Sequence, residues 1–466
     1  MAEQFQNTTD FSLKSVAIAP LGSTDGFDIK QMVHTFSYVE NVASPFVAAT
    51  MVVVDSAGFM NDLPIQGGET VVVTVQTSST SEPQEYTLSV WRIANRGSEG
   101  KAQTYTLGLV SVEALNNECV RLLKKLEGKP DDIIKKMLRE DLKTEKSFFP
   151  KDATTQFAVK MLPANRRPFD IISSLAIKSV QSGTSKTAGN SGGSDTANEK
   201  QTVSGSAGYF FWENKRGYNF FSVDSLLDTE NKDIPTWGPY IQKPANQSDG
   251  ADDRFTIAQA MFASEVDIMS SMRMGKYSSL LVFFNHSTGQ YHEYHYSVRD
   301  AYKDMKHLGA QNTPSLIKFG DKDVSDYPTR IVSTLLDHES WYNDPGIASY
   351  EEEDGADTPN EFCDFHKHFA AQSLMRYELL KNQMATVIIP GNSEICAGDR
   401  INIKLVNKTS SEVAKDKPYD EESSGIYLIQ EVSHEYSRVG GTNGKFTTTL
   451  RLMRDSYGDV ESVHGS

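Results

Sequence analysis

Two segments decide the fold because they repeat one pattern: "PIQGGETVVVTV" at residues 64–75 and "EICAGDRINIKL" at residues 394–405. In each, a glycine and an acidic residue precede a strand-like run in which every second residue is apolar. This pattern indicates a turn that leads into a half-buried strand. The equivalent turn and strand-start residues are Gly68, Glu69, Gly398 and Asp399, at a constant offset of 330.

The downstream sequence extends the match. "YTLSVWRIANRGSEGKAQTYTLGLVSVEA" (86–114) and "YLIQEVSHEYSRVGGTNGKFTTTLRLMRD" (427–455) each contain two long strand patterns around a turn with two glycines. Upstream, "FVAATMVVVDSAG" (46–58) aligns with "YSSLLVFFNHSTG" (277–289) at an offset of about 230. Three matched pieces in the same order predict a duplicated β-unit with an insertion in its second copy.

Helical patterns separate the two copies. "GKPDDIIKKMLRE" places Pro130 at a first helical position, and "RPFDIISSLAIKSV" predicts a second helix from Pro168. "YFFWENKRGYNFFSVD" predicts a hairpin that turns near Lys215–Gly217, while residues 181–208 are too poor in apolar residues to fold as a core element.

These patterns predict an α+β, β-dominated chain. We divide it into a first β-unit at 1–115 and an α/β middle domain at 116–230, with a flexible loop at 181–208. A second β-unit follows at 231–298 and 361–456, interrupted by an accessory domain at 299–360 and followed by a tail at 457–466.

The amino-acid composition excludes several classes of function. The 466 residues include 62 acidic and 46 basic ones, giving a formal charge of -16, which disfavours sequence-specific DNA binding. Three widely spaced cysteines argue against a disulfide framework. The longest apolar run, "FVAATMVVV", is too short to cross a membrane.

No motif indicates catalysis or a cofactor. His292, His338 and His434 each precede a glutamate, but none has the second histidine of a helical zinc site. "CDFHKHF" brings Cys363, His366 and His368 together without an evident fourth ligand, and "EEEDGAD" lacks the spacing of a calcium loop. We therefore expect no metal, no cofactor and no catalytic residue.

The long hairpins offer a different kind of site. Alternation places Ile426, Leu428, Val432, His434 and Tyr436 on one face of the last hairpin, so that His434 and Glu435 point apart. The opposite face is polar, and it either lines a wet channel or is the ordinary solvent face of a half-buried sheet. The candidate channel-lining residues are Glu431, Ser433, Glu435, Thr447 and Thr449, with Thr87, Ser89, Thr104 and Thr106 in the first copy.

With these pieces in order, the sequence resembles the central baseplate hub proteins of contractile-tailed, T-even-type bacteriophages, which are related to the hub part of type VI secretion spike proteins. The resemblance rests on "MVVVDSAGFMNDLPIQGGETVVVTV", "LGLVSVEALNNE", "PDDIIKKML", the 168–224 helix and hairpin, and "GIYLIQEVSHEYS...KFTTTLRLM". It implies two tube-type β-barrels per chain, three chains in a pseudo-sixfold ring, and polar hairpin faces that look into a lumen.

The resemblance also implies partners. These are further copies of the chain in a homotrimer, a trimeric central spike protein, tail-tube or tube-initiator proteins, and DNA in transit only; tape measure and baseplate wedge proteins are further candidates. The chain ends at Ser466, soon after the last hairpin, so we expect the spike to be a separate protein in the virion tail.

Two alternatives stay open. One is the hub of a phage-derived contractile injection system. The other is a tail-associated glycan or peptidoglycan hydrolase, whose paired carboxylates would come from regions such as Asp300–Asp304 or Glu351–Asp357, where the sequence gives no apolar pocket to raise the pKa of an acid.

Overall fold

The computed structural model describes twelve ranges of the chain: 7–23, 26–59, 65–80, 82–100, 102–182, 206–243, 253–262, 267–285, 291–336, 369–407, 418–438 and 444–459. The Cys363, His366 and His368 cluster, the acidic run at 351–357 and residues 183–205 of the predicted loop lie outside these ranges. Within them, the chain is β-dominated and is built on one sheet of fourteen strands.

The N-terminal part consists of strands. They are β1 (Asp10–Ala19), β2 (Phe27–Asp28), β3 (Val33–Asn41), β4 (Ala48–Asp55), β5 (Thr70–Thr77), β6 (Gln84–Glu99) and β7 (Ala102–Val110). Along β5 the predicted alternation is confirmed, because Val71, Val73 and Val75 are fully buried. Each such side chain contributes roughly 1.5–3 kcal/mol by leaving water.

The middle part is mixed. It contains α1 (Val112–Cys119), β8 (Leu126–Gly128), α2 (Pro130–Lys136), a π-helical turn (Met137–Asp141), β9 (Phe148–Phe149), β10 (Val159–Met161), α3 (Pro168–Lys178), β11 (Tyr209–Asn214), β12 (Gly217–Ser222) and α4 (Val223–Leu227). Pro130 and Pro168 begin their helices and β11 and β12 form the predicted hairpin, which confirms these three predictions. The helices α2 and α3 and the β11–β12 hairpin share one hydrophobic core.

The C-terminal part returns to the large sheet. Its first elements are β13 (Thr236–Gln242), a 3-10 turn (Asp253–Phe255), β14 (Thr256–Ile257), β15 (Gln259–Phe262), α5 (Ile268–Met274), β16 (Ser278–Asn285), β17 (Tyr291–Ser297), α6 (Val298–Ala301), a 3-10 turn (Tyr302–Asp304), β18 (Lys318–Phe319) and β19 (Lys322–Asp323). They are followed by a 3-10 turn (Val324–Asp326), β20 (Arg330–Leu336), α7 (Gln372–Leu379), β21 (Gln383–Pro390), β22 (Arg400–Lys404), β23 (Gly425–Ser437) and β24 (Gly444–Arg454).

The strand pairing of the large sheet contains two closed circuits. The first runs β1–β5–β6–β7–β4–β3–β23–β24 and back to β1. The second runs β23–β24–β21, through the β14–β15 segment to β13 and β22, and back to β23. Each circuit has its own hydrophobic core.

The hairpin of β23 and β24 belongs to both circuits. One end of β23 pairs with β22 at Gly425–Leu428, and the other pairs with β3 at Glu431–Ser437. The side chains divide in the same way, since Val432 and Leu450 lie in the core of the second circuit whereas Tyr436 and Phe446 lie in that of the first. Residues 7–110 therefore do not close their circuit alone.

The repeat is present, but one of its three aligned pieces is wrong. In the first copy the strand order is β5–β6–β7–β4–β3, and in the second it is β22–β23–β24–β21–β15. The counterpart of β4 is thus β21, whereas the aligned segment 277–289 forms β16 in a separate three-stranded sheet, β17–β16–β20. Both segments are short apolar strands, and composition does not distinguish them because their non-local partners decide the sheet.

Candidate functional site

The candidate site is the polar face of the shared hairpin. Ser433 lies opposite Thr449 and Glu435 lies opposite Thr447, all four at least partly exposed. Because β23 and β24 are antiparallel and in register, these side chains form one patch on the face away from the cores.

This polar face continues across the first copy. Glu435 pairs with Ser37 of β3, Ser37 with Thr50 of β4, and Thr50 with Gly108 of β7. Thr106 and Thr104 follow on β7, opposite Val52 and Val54. The predicted lining residues on β7, β23 and β24 therefore share one face of neighbouring strands. Ser37 and Thr50 extend it; the alternation in "VHTFSYVEN" and "AATMVVVD" was the available signal for them.

Thr87 and Ser89 lie at the margin of this face. They precede a β-bulge at Trp91 and pair with Val72 and Thr70 of β5. Thr87 is exposed, whereas Ser89 is only 4% exposed. The bulge sends the first half of β6 along β5, away from the strands that carry the rest of the set.

Charges on the face are partly compensated. The Glu431 carboxylate lies 3.3 Å from Nε of Arg451 on the neighbouring strand and accepts a 2.8 Å hydrogen bond from Asn41. Since Arg451 is well exposed, this ion pair contributes little to stability. Its effect is to offset one negative charge, so the face is polar with both signs present.

His434 and Glu435 point to opposite sides, as predicted. The His434 ring is buried, with Nδ1 3.1 Å from the Thr448 hydroxyl and Nε2 3.3 Å from the Ile395 carbonyl oxygen. Burial lowers the pKa of His434 to about 3. It is a neutral core residue, and in the described ranges no cluster of three or more His, Cys, Asp or Glu side chains could hold a metal.

The alternation predicted for the start of β23 is wrong at Ile426 but not at Leu428, which is buried as predicted. A β-bulge lies between Ile429 and Glu431, and the residue it adds changes which side chains face inward. Tyr427, Leu428 and Ile429 are all buried, whereas Ile426 is only half-buried. Beyond the bulge the predicted inward set, from Val432 to Tyr436, is confirmed.

The repeat turns have matching geometry. Gly68 N–H donates to the Val90 carbonyl at 2.6 Å, and Gly398 N–H donates to the Ile429 carbonyl at 2.9 Å. Each following carboxylate then accepts from the backbone N–H three residues earlier: Glu69 from Gln66 at 2.6 Å and Asp399 from Cys396 at 3.1 Å. The turns are thus a structural repeat.

Asp399 has an additional role that Glu69 lacks. Its carboxylate accepts two hydrogen bonds from the Arg216 guanidinium, at 2.7 and 2.8 Å, and one from the Trp237 indole at 2.9 Å. The Asp399 side chain is buried and that of Arg216 is 35% exposed. The second turn is therefore fastened to the β11–β12 hairpin of the middle part.

Glu40 joins three parts of the chain. Its buried carboxylate accepts hydrogen bonds from the backbone N–H of Lys215 at 2.7 Å and of Ala397 at 2.9 Å, and from the Tyr38 hydroxyl at 3.1 Å. Burial outweighs these donors and raises the pKa of Glu40 to about 7. Its position on β3 fixes the middle hairpin and the second repeat turn to the first copy.

A second buried network holds the accessory elements. The Arg376 guanidinium contacts carboxylate oxygens of Asp224 at 2.5 Å and Asp455 at 3.4 Å, while His307 lies 2.6 Å from Asp455. Although burial alone would raise it, the pKa of Asp455 is lowered by His307 and Arg376. The network connects α7, α4, the loop after α6 and the end of β24.

Solved structures with a similar fold were found, whereas sequence comparisons found none. No protein-family model and no curated protein sequence matches this chain. A tail protein from Neisseria meningitidis MC58 is 10% identical, with 96% of this chain and 97% of that chain covered and a TM-score of 0.50.

Two further solved structures are similar at lower scores. The 43 kDa tail protein of prophage MuSo2 from Shewanella oneidensis is 9% identical, with 95% and 99% covered and a TM-score of 0.48. The E. coli c3393 protein, a type VI secretion component similar to the T4 tail proteins gp27 and gp5, is 10% identical, with 95% and 78% covered and a TM-score of 0.42.

Of these three structures, only the Neisseria protein reaches a TM-score of 0.50, and we use it alone to assign the fold. At 10% identity the match shows the fold alone: this chain has the fold of that tail protein over nearly its whole length, in agreement with the resemblance. In the described ranges no helix is long and apolar enough to span a membrane.

Proposed function

We propose that the chain is a structural, non-enzymatic baseplate hub of a contractile tail. Three copies would form a ring that adapts the sixfold tail tube to a threefold central spike. In this proposal the two strand circuits are two tube-type β-barrels, and the polar face lines a channel for DNA. The accessory domain, predicted at 299–360, is extended to include α5, β16 and β17, because β16 and β17 form a separate sheet with β20.

One observation carries the proposal: two copies of the same β-unit lie side by side in one sheet, with a shared polar face. From β7 through β4, β3 and β23 to β24, neighbouring strands share this face, which also carries Val52 and Val54 on β4. Two similar units per chain are what a threefold ring needs to match a sixfold tube. The fold of the Neisseria tail protein supports the same assignment.

The chemistry of the face suits passage of DNA. Hydroxyl groups and acidic side chains dominate the predicted lining residues, and the chain as a whole is acidic. A lining that gathered phosphates would hold DNA by releasing counterions and would slow its transit. Lys445 and Arg451 of β24 lie on the same face, but the predicted lining residues themselves include no basic side chain.

Light scattering coupled to size exclusion tests the assembly. A trimer that appears as an annulus in negative stain supports the hub, and a monomer at high concentration overturns it. A glycan- and peptidoglycan-release assay on the same sample tests the hydrolase alternative. Turnover that one carboxylate substitution abolishes would replace the hub by an enzyme.

The source of the hub is a separate question. A phage-derived contractile injection system would use the same ring without DNA transit. Co-purification of the trimer with a spike protein, in a virion or in a particle that lacks DNA, distinguishes these two forms.

A further inference from the structure

The run of neighbouring strands that carries the polar face continues past it and ends in two strand edges, the last of them beyond β21, where the same face carries Ile388 and Pro390. Its strands run in the order β6–β7–β4–β3–β23–β24–β21–β15. Among the described residues, the second half of β6 (Arg92–Glu99) pairs only with β7, and β15 pairs only with β21. Each edge therefore presents backbone N–H and C=O groups that can accept another strand.

The internal repeat indicates what covers these edges. Inside the chain the two copies are joined where β3, the last strand of the first copy, pairs antiparallel with the second half of β23, the second strand of the second copy. The strand orders of the two copies make β15 the counterpart of β3 and β6 the counterpart of β23.

The bulges support this equivalence at the residue level. β23 has a bulge between Ile429 and Glu431, and β6 has one between Val90 and Arg92. β6 has a second shift, between Ala94 and Gly97, which has no counterpart in β23, so the register beyond it is counted along β7 and β24. In each strand the residues before the bulge follow the strand that begins after the repeat turn, β22 or β5. The half after the bulge pairs with β3 in β23, and in β6 it has its outer edge open.

We propose that the second half of β6 in one copy pairs antiparallel with β15 of a second copy of this chain. This inference rests on the proposed trimeric hub and names the surfaces that build it. The contact repeats between chains the junction that β3 and β23 make within one chain.

The repeat also gives the register. Along the paired strands, Ser37 of β3 corresponds to Met261 of β15, since each lies opposite a threonine, Thr50 or Thr386, on the next strand. In the same way Glu435 of β23 corresponds to Gly97 of β6, because each lies opposite a threonine, Thr447 or Thr104.

The observed pair Glu435–Ser37 therefore predicts Gly97 opposite Met261 of the second copy. By the same step, the pair Tyr436–Phe36 predicts Ser98 opposite Ala260.

Apolar exposure at the two edges agrees with this contact. Met261 is 49% and Phe262 is 44% exposed on β15, and Trp91 is 53% exposed where the second half of β6 begins. Tyr38, the counterpart of Phe262 in the joined position, is only 3% exposed. This difference in exposure is expected if β15 lacks, within one chain, the partner strand that covers β3.

The two edges lie at opposite ends of one face, so the contact is head-to-tail. A head-to-tail contact makes a closed ring when its rotation closes and an open filament when it does not. Three copies with two β-units each would close the same polar face around one central opening.

Disulfide cross-linking tests the register. The variant carries Ser98→Cys and Ala260→Cys in a chain whose Cys119 and Cys363 are replaced by serine. Directly opposed residues in antiparallel strands have Cα atoms about 4.5–5.5 Å apart, within the range that a disulfide spans. Mild oxidation should give linked dimers and trimers on a non-reducing gel, and reduction should return single chains.

The matched control carries Gly97→Cys with Ala260→Cys. These positions are one residue out of register, so their side chains would face opposite sides of the sheet. We expect at least a tenfold lower yield of linked chains. Equal yields from both pairs would overturn the register.

The outcomes separate this inference from the proposed function. A trimer by light scattering that the Ser98–Ala260 pair does not link overturns the interface and leaves the hub in place. Linked chains that grow beyond three overturn ring closure. A monomer overturns both the interface and the hub.

Discussion

Gly68 and Gly398 occupy equivalent turns, and each donates a backbone hydrogen bond to the second strand of its own hairpin. Both have positive φ, +94° and +89°, a region that favours glycine. They differ in what surrounds them. A Cβ on Gly398 would lie 2.2 Å from the Trp212 ring, whereas one on Gly68 would lie 3.0 Å from a methyl group of Leu21.

This difference predicts unequal effects of the same substitution. Gly68→Ala should cost about 1–2 kcal/mol, from backbone strain. Gly398→Ala should cost about 2–5 kcal/mol, because the strain is joined by overpacking against Trp212. Urea unfolding followed by tryptophan fluorescence measures both; equal losses would show that Trp212 moves aside freely.

The two turn carboxylates form a second matched pair. Asp399→Asn should lower stability by about 2 kcal/mol or more, because the bidentate bond from Arg216 loses its charged acceptor while the guanidinium stays half-buried. Glu69→Gln removes only bonds within its own turn. It should cost about 1 kcal/mol.

Thermal unfolding of these two variants shows which of them loses more stability. A larger loss for Glu69→Gln would contradict the role of Asp399 in fastening the β11–β12 hairpin. A further variant, Arg216→Met, should lose about as much as Asp399→Asn, since either change breaks the same pair.

The raised pKa of Glu40 predicts that the stability of the fold decreases as the pH rises. Its pKa is raised from 4.5 to about 7 on folding, so the folded state binds the proton more tightly than the unfolded state. The resulting stabilisation is complete below pH 4.5 and is lost as the pH rises through 7; for a shift of this size it amounts to about 3 kcal/mol.

Glu40→Gln tests this. Gln places an amide N–H₂ against a backbone donor, so the variant should be less stable than the parent at acidic pH. It cannot titrate, and the gap in melting temperature should therefore narrow as the pH passes 7. A gap that is constant with pH would exclude Glu40 as the titrating group.

The lowered pKa of His434 predicts the opposite pH dependence, in which the stability of the fold decreases as the pH falls. Its pKa falls from 6.5 to about 3 on folding, so its contribution is complete above pH 6.5 and is lost on acidification. His434→Gln keeps a polar side chain near Thr448 and Ile395 but does not titrate. Between pH 6.5 and 3 the variant should lose less stability than the parent, by up to about 4 kcal/mol. Parallel pH profiles would contradict the prediction.

The sequence was informative where alternation is local and less so where pairing is not. The turns at Gly68 and Gly398, the helix starts at Pro130 and Pro168, and the opposite directions of His434 and Glu435 all follow from neighbouring residues. The bulge at Gln430 has no such signal, and it reversed the predicted facing of Ile426.

The pairing partners were the hardest part to predict. No local sequence signal indicates that β21, rather than β16, pairs with β15 in the large sheet. Nor does it reveal that β23 and β24 serve both circuits, because that sharing depends on contacts such as Glu431 with Asn41, which lie 390 residues apart. The polar face could be predicted strand by strand, but its continuity could not.

The polar face makes a last prediction about DNA. If it lines a channel that DNA passes without sticking, the parent trimer should show no measurable affinity for a short duplex at moderate salt. Ser433→Lys combined with Thr449→Lys places two cations on adjacent strands of each chain, directly opposite one another. The trimer should then bind the duplex, with an affinity that falls steeply as salt rises, since each phosphate contact releases counterions.

The control places the same charge elsewhere. Thr313→Lys with Ser333→Lys puts two lysines on exposed positions near β18 and β20, away from the polar face. Fluorescence anisotropy over a salt series should show much weaker binding for this variant, because the cations do not line a common opening. Equal binding by both variants would show that net charge alone controls the interaction. Strong binding by the parent trimer would show that the face attracts DNA.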